Sequence, residues 1–127
     1  MTIDRVDGVF VAHDNNVEIA STRDTEWSRL SEVAARIMAL AREPIAILGN
    51  GFGIVAGILP RSMDVDIYEM RAELAEACGH RLIFGDFLQT FPCGRAYALV
   101  FNDTGIRGSV CDSVILSGLQ PDGMILN

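Results

Sequence analysis

No stretch of this 127-residue sequence approaches the roughly 20 consecutive apolar residues that a membrane-spanning helix needs, so no membrane partner is expected. Basic residues are scarce: 10 Lys and Arg face 17 Asp and Glu, for a formal net charge of −7, and they form no cluster. Nucleic acid, a polyanion, is a disfavoured partner on that count, whereas cationic or neutral small molecules are compatible. Cysteine is sparse as well. Cys78, Cys93 and Cys111 are odd in number and no pair has metal-ligand spacing. They read as free thiols in a reducing compartment, and no metal is expected. The N-terminal "MTIDRVDGVF" carries acids where a secretory leader needs a basic region and an apolar run, so a cytoplasmic location is expected.

What is present is an ordinary globular balance, 50% hydrophobic and 21% charged, at a length that suggests one domain over residues 1–127. Within it, 1–23 read as a β-hairpin extension. Two β-type runs in "GVFVAHDNNVEIAST" flank Asp14-Asn15-Asn16, residue types that tolerate left-handed backbone. "DTEWSRLSEVAARIMALA" then spaces Trp27, Leu30, Ala34, Ile37 and Met38 by threes and fours, the stripe of an amphipathic helix capped by Asp24 or Thr25. Pro44 closes the connection.

From there strands and helices alternate. "PIAIL" is an apolar run suited to a strand covered on both faces, and "GIVAGIL" a short helix ending near Pro60. "DVDIYEM" reads as a strand, "RAELAEACG" as a helix capped by Gly79, "RLIFGDF" and "AYALVFND" as strands. "SVCDSVILSGL" reads as a helix, and "QPDGMILN" as a turn followed by a fifth strand. The pattern predicts an α/β fold: a Rossmann-like, doubly wound, mostly parallel sheet behind a short β-hairpin and helix.

In such a sheet ligands bind beyond the carboxyl ends of the strands, where strand order reverses. The candidates at those ends are Gly49, Asn50, Gly51 and Gly53 after the first core strand, and Glu69 with Met70 after the second. Gly85, Asp86 and Phe87 follow the third, and Asn102 and Asp103 the fourth. Glycine lets backbone N–H groups meet a ligand at contact distance, but a glycine turn also serves packing alone. Glu69, about twenty residues after Gly49, has the separation at which a carboxylate meets ribose hydroxyls in nucleoside-binding βαβ units. Asp86 suits an adenine amino group or, equally, a helix cap. Asp103 suits holding or deprotonating an amine or hydroxyl, or is a plain loop acid.

The ordered set "ILGNGFG", "DIYEM", "FGDF", "LVFND" and "LQPDGMILN", from Ile45 to Asn127 and about two-thirds of the chain, resembles the class I S-adenosylmethionine-dependent methyltransferases. The resemblance implies a cofactor held by the glycine turn, Glu69 and the Gly85-Asp86 pair. Within that fold the chain is most similar to the spermidine synthase branch. Ile47 stands where methyltransferases often carry an acid, and "STRDTEWSRL" places an arginine-aspartate pair before a helix. That likeness implies Asp103 as catalytic residue and decarboxylated S-adenosylmethionine as an alternative cofactor. Asp103-Thr104-Gly105-Ile106-Arg107 lacks the second acid and the proline of that branch's loop.

Three functions follow as expectations. The first is an S-adenosylmethionine-dependent transferase, methyltransferase-like, acting on a small-molecule acceptor, with aminopropyl transfer as its variant. The second is a non-catalytic nucleoside-binding or assembly module that kept the fold. In either case a homodimer would cover an exposed sheet edge. The third, nicotinamide binding, fits poorly because the turn is GxGxG followed by Ile54 and Val55, not GxGxxG.

Overall fold

The computed structural model describes residues 2–14, 17–71 and 79–127. Its first strands, β1 (Thr2–Val6), β2 (Val9–Asp14) and β3 (Val17–Arg23), form an antiparallel sheet in the order β1-β2-β3. The β2–β3 hairpin is the one anticipated, with Asp14 opposite Val17. Strand β1 is an addition to that reading. Asp7 and Gly8, with φ of 52° and 76°, make the two-residue turn that joins it to β2, and Asp-Gly is a strong hairpin signal in its own right.

Helix α1 (Asp24–Leu40) follows β3 with no loop between them. The cap position therefore falls on Arg23, which is extended and makes no side-chain cap bond, and Asp24 and Thr25 lie inside the first turn instead. Ala34 and Ile37 of the helix are fully buried, with Leu30, Val33 and Leu40 packed beside them. Met38, placed in the apolar stripe from its spacing, is turned outward and 36% exposed.

Five parallel strands follow: β4 (Ile45–Leu48), β5 (Val65–Glu69), β6 (Arg81–Phe84), β7 (Tyr97–Asn102) and β8 (Leu119–Leu126), in the order β6-β5-β4-β7-β8. Helices α2 (Ile54–Ile58), α3 (Phe87–Thr90) and α4 (Ser109–Ser117) connect them. The helix expected over "RAELAEACG" falls largely on residues 72–78, outside the described residues. Successive residues of β4 point to opposite faces. Ile45 and Ile47 pack with α1 and α2, whereas Ala46 and Leu48 pack with α3 and α4. All four are buried, which is why this strand reads as a continuous apolar run. The sheet is doubly wound, as expected.

The turn anticipated before the fifth strand lies within it. Tyr97 pairs with Leu119 but Leu99 pairs with Met124, so residues 120–123 bulge out between two paired positions. β8 has no strand on its outer side among the described residues, and an edge strand tolerates the proline and the bulge because that side has no ladder to keep. Gly123 is needed here: a Cβ would come within 2.6 Å of the Leu119 side chain.

From β4 the chain steps outward through β5 to β6, then crosses back to β7 and β8. Strand order reverses between β4 and β7, which fixes the crevice at their carboxyl ends. Among the described residues, no helix is long and apolar enough to cross a membrane.

Candidate functional site

A cleft of about 710 Å³ opens at that crevice, lined by Gly49, Gly51, Tyr68, Glu69, Met70, Arg71, Gly85, Phe87, Asp103, Thr104 and Ile106. Its size lies within the range of small-molecule sites. Residues from the ends of four strands meet there.

The three glycines after β4 all have left-handed φ, 88°, 54° and 71°, yet their surroundings differ. A Cβ on Gly49 would press on the Asp103 carbonyl and the Thr104 methyl at 3.3 Å, so this glycine serves close packing of two loops. Its N–H donates to Tyr68 O at 2.8 Å. Gly51 has open space where its Cβ would stand, and it faces the cleft. Gly53 is the cap residue of α2, does not line the cleft, and donates to Asn50 O. Asn50 is buried and also stands off the cleft.

Glu69 ends β5, and its carboxylate ties two turns together. One oxygen accepts from the N–H groups of Asn50 and Gly51, both at 3.2 Å. The other accepts from Met70 N–H at 2.7 Å and Arg71 N–H at 3.2 Å. A carboxylate has about four lone-pair sites, so four backbone donors occupy it fully in this state. The residue anticipated as a ribose acceptor is thus also the clamp of the glycine turn.

After β6, Gly85 donates to Glu69 O and lines the cleft with Phe87. Asp86 does not line it. Its Oδ1 accepts from Leu88 N–H at 3.0 Å and caps α3, the alternative to an adenine contact that its position left open. Asn102, 2% exposed, is likewise structural. Its Oδ1 accepts from the Thr104 N–H and hydroxyl and its Nδ2 donates to Ile106 O, which folds the loop after β7.

Asp103 stands in the cleft wall, its N–H bonded to Leu48 O. Oδ1 accepts from Arg29 Nη2 at 3.1 Å, while Oδ2 has no partner among the described residues. Burial raises its pKa above the ordinary carboxylate value, and the Arg29 guanidinium opposes that rise. Arg29 comes from α1 and is braced by Glu26 through Nε at 3.0 Å and Nη2 at 2.9 Å. Near it, the Trp27 ring meets the Phe52 ring of the glycine turn at 5.8 Å. The start of α1 therefore touches loops on both sides of the crevice.

Sequence reasoning missed Arg29, Tyr68, Arg71, Thr104 and Ile106. Thr104 and Ile106 follow directly from the loop after β7, and Tyr68 and Arg71 from the end of β5. Only Arg29 carries no such signal, because no pattern says which loop α1 will meet. Among the described residues, no three His, Cys, Asp or Glu side chains gather as a metal site.

No family model and no curated protein matches the chain by sequence. Solved structures do match in fold. A calicheamicin-pathway amino pentose methyltransferase from Micromonospora echinaspora, with S-adenosylmethionine bound, superposes at TM-score 0.61 and 19% identity, covering 90% of this chain and 57% of its own. A magnesium protoporphyrin IX methyltransferase from Synechocystis, with bound S-adenosylhomocysteine, gives TM-score 0.62 at 17% identity, over 77% of this chain and 53% of its own. An S-adenosylmethionine-dependent methyltransferase from Thiobacillus denitrificans, in complex with S-adenosylhomocysteine, gives 0.61 at 16%, over 77% and 46%. The chain spans about half the length of these proteins. Its five-stranded parallel sheet has the Rossmann-like fold of the S-adenosylmethionine-dependent methyltransferases.

Proposed function

We propose that the chain binds S-adenosylmethionine in the strand-end cleft and acts as a methyltransferase-like enzyme on a small-molecule acceptor. One observation carries this reading: Gly51, Glu69, Met70, Gly85, Phe87 and Asp103, from four strand ends, line a single cleft at the strand-order reversal of this fold. The residues fit the cofactor. Gly51 leaves open backbone for the methionine part, and Met70, Phe87 and Ile106 offer apolar surface for the base. Glu69 holds the turn next to the ribose, and Asp103 has one free carboxylate oxygen.

The bound cofactor supplies a methyl group on a sulfonium, a transfer that asks the protein chiefly for alignment. Asp103 holds the amine of a ligand or removes a proton from the acceptor. The aminopropyl variant rests on Ile47, on the Arg23-Asp24 pair before α1 and on Asp103, and Ile47 is 1% exposed in the core and does not line the cleft. We also propose a homodimer, because β8 has no strand on its outer side among the described residues. A monomeric mass by light scattering at micromolar concentration counts against it.

Calorimetric titration with S-adenosylmethionine tests the binding reading, and micromolar affinity is the expected result. A folded protein that binds neither it nor methylthioadenosine would have a glycine turn that serves packing, and an assembly role would take precedence.

A further inference from the structure

We infer that the Arg29–Asp103 pair recognises the α-amino acid end of the ligand: Asp103 takes its ammonium, Arg29 its carboxylate. Arg29 is then the residue that sets preference for S-adenosylmethionine over its decarboxylated form. The inference rests on the nucleoside-binding reading above and specifies which ligand end the β7 side of the cleft reads.

The argument starts from charge. An α-amino acid carries a cation and an anion on groups one carbon apart, and its complement is an anion and a cation equally close together. Arg29 Nη2 and Asp103 Oδ1 lie 3.1 Å apart; Asp103 lines the cleft, and Arg29 stands behind it, outside the lining. Each group has capacity left over. Among the described residues Asp103 Oδ2 accepts no hydrogen bond, and Arg29 spends Nε and Nη2 on Glu26 and Asp103 while Nη1 makes none. A guanidinium so braced presents its remaining donors in a fixed plane, the geometry that suits a carboxylate.

Topology narrows the choice further. Arg71 also lines the cleft, but it follows β5, on the far side of β4 from Asp103. Arg107 belongs to the loop after β7 and its charge also reaches Asp103, but its Nη1 donates to Ile106 O; the cation paired with the Asp103 carboxylate is Arg29, reaching over from α1. The pairing also bears on Asp103 itself. A carboxylate that shares a guanidinium is better suited to holding an ammonium than to accepting a proton.

The test compares ligands that differ by one group, titrated into the intact chain. S-adenosylmethionine and its decarboxylated form differ only in the carboxylate; methylthioadenosine lacks carboxylate and ammonium. Wild type should prefer S-adenosylmethionine over the decarboxylated form. Arg29→Gln should weaken S-adenosylmethionine by about tenfold, leave the decarboxylated form within about twofold, and so erase the preference. Asp103→Asn should weaken both while sparing methylthioadenosine, and Arg71→Gln should not separate the two. Methylthioadenosine binding reports that each variant keeps its fold, and Arg29→Met, which also removes the charge, replaces Arg29→Gln if the latter does not fold. Equal losses for both ligands in the Arg29 variant, or a wild-type preference for the decarboxylated form, overturn the inference. Failure of wild type to bind even methylthioadenosine overturns the nucleoside reading beneath it.

Discussion

Asp66 and Glu69 stand three residues apart on β5 and are satisfied in opposite ways. Asp66 is 1% exposed and takes its bonds from side chains: Tyr97 Oη at 2.7 Å and Arg95 Nη1 at 2.9 Å, with Arg81 further off at 3.7 Å. Tyr68 Oη donates in turn to Tyr97, and Arg95 grips Asp64 with both Nη atoms. Glu69 takes all its bonds from backbone N–H groups of the loops around the cleft. The difference teaches where each acid acts. A carboxylate met by side chains fixes packing between strands; a carboxylate met by loop backbone fixes the shape of a binding surface, and a ligand can compete for it.

The largest expected effect breaks the first half of that comparison. Asp66→Ala strips Tyr97 of its acceptor and leaves Arg95 partly uncompensated beside the core. It should cost about 3 kcal/mol in urea unfolding, as for other buried pairs that lose one partner. Affinity for S-adenosylmethionine in the protein that remains folded should change little. A loss of affinity as large as the loss of stability would mean that the Asp66 network shapes the cleft after all.

Glu69→Ala should have the converse profile. We expect about 1–3 kcal/mol lost from S-adenosylmethionine affinity, measured calorimetrically, because the glycine turn loses its clamp and the ribose its neighbour. Stability should fall by less than for Asp66→Ala, since the freed N–H groups of Gly51, Met70 and Arg71 belong to half-buried or exposed residues and only that of Asn50 is buried. Unchanged affinity in a folded variant removes Glu69 from the site.

That contrast also marks how far the sequence was legible. Runs such as "PIAIL" and "YALVFN" announce doubly covered strands because burial on both faces removes polar positions, and the glycines announce a turn because three left-handed residues demand them. The strand-end residues were therefore findable. Their roles were not, since a role depends on which donor a side chain meets. Asp86 and Asn102 look like ligand acids and amides in sequence, yet one caps α3 and the other folds the loop after β7. Arg29 lies 74 residues from Asp103, and no local pattern joins them. The Asp-Gly turn at Asp7-Gly8 was legible and still missed, because the alternation beside it is short.

The smallest expected effect sharpens the comparison at Asp103, a carboxylate of a third kind, half met by a side chain and half open to the cleft. Burial raises its pKa in the folded state and Arg29 only partly offsets that rise. The folded chain therefore binds this proton more tightly than the unfolded chain does. Between the unfolded pKa and the raised folded value, stability declines as pH rises, and above the folded value the ionised group carries its full cost. Asp103→Asn keeps an oxygen for Arg29 but cannot ionise, so its stability should lack this component. Comparing urea midpoints of the two proteins across the acid range, the gap should move in favour of the Asn variant on going from acid to neutral pH. A shift in favour of wild type would show that the Arg29 pair outweighs burial, making Asp103 a carboxylate held ionised by its partner.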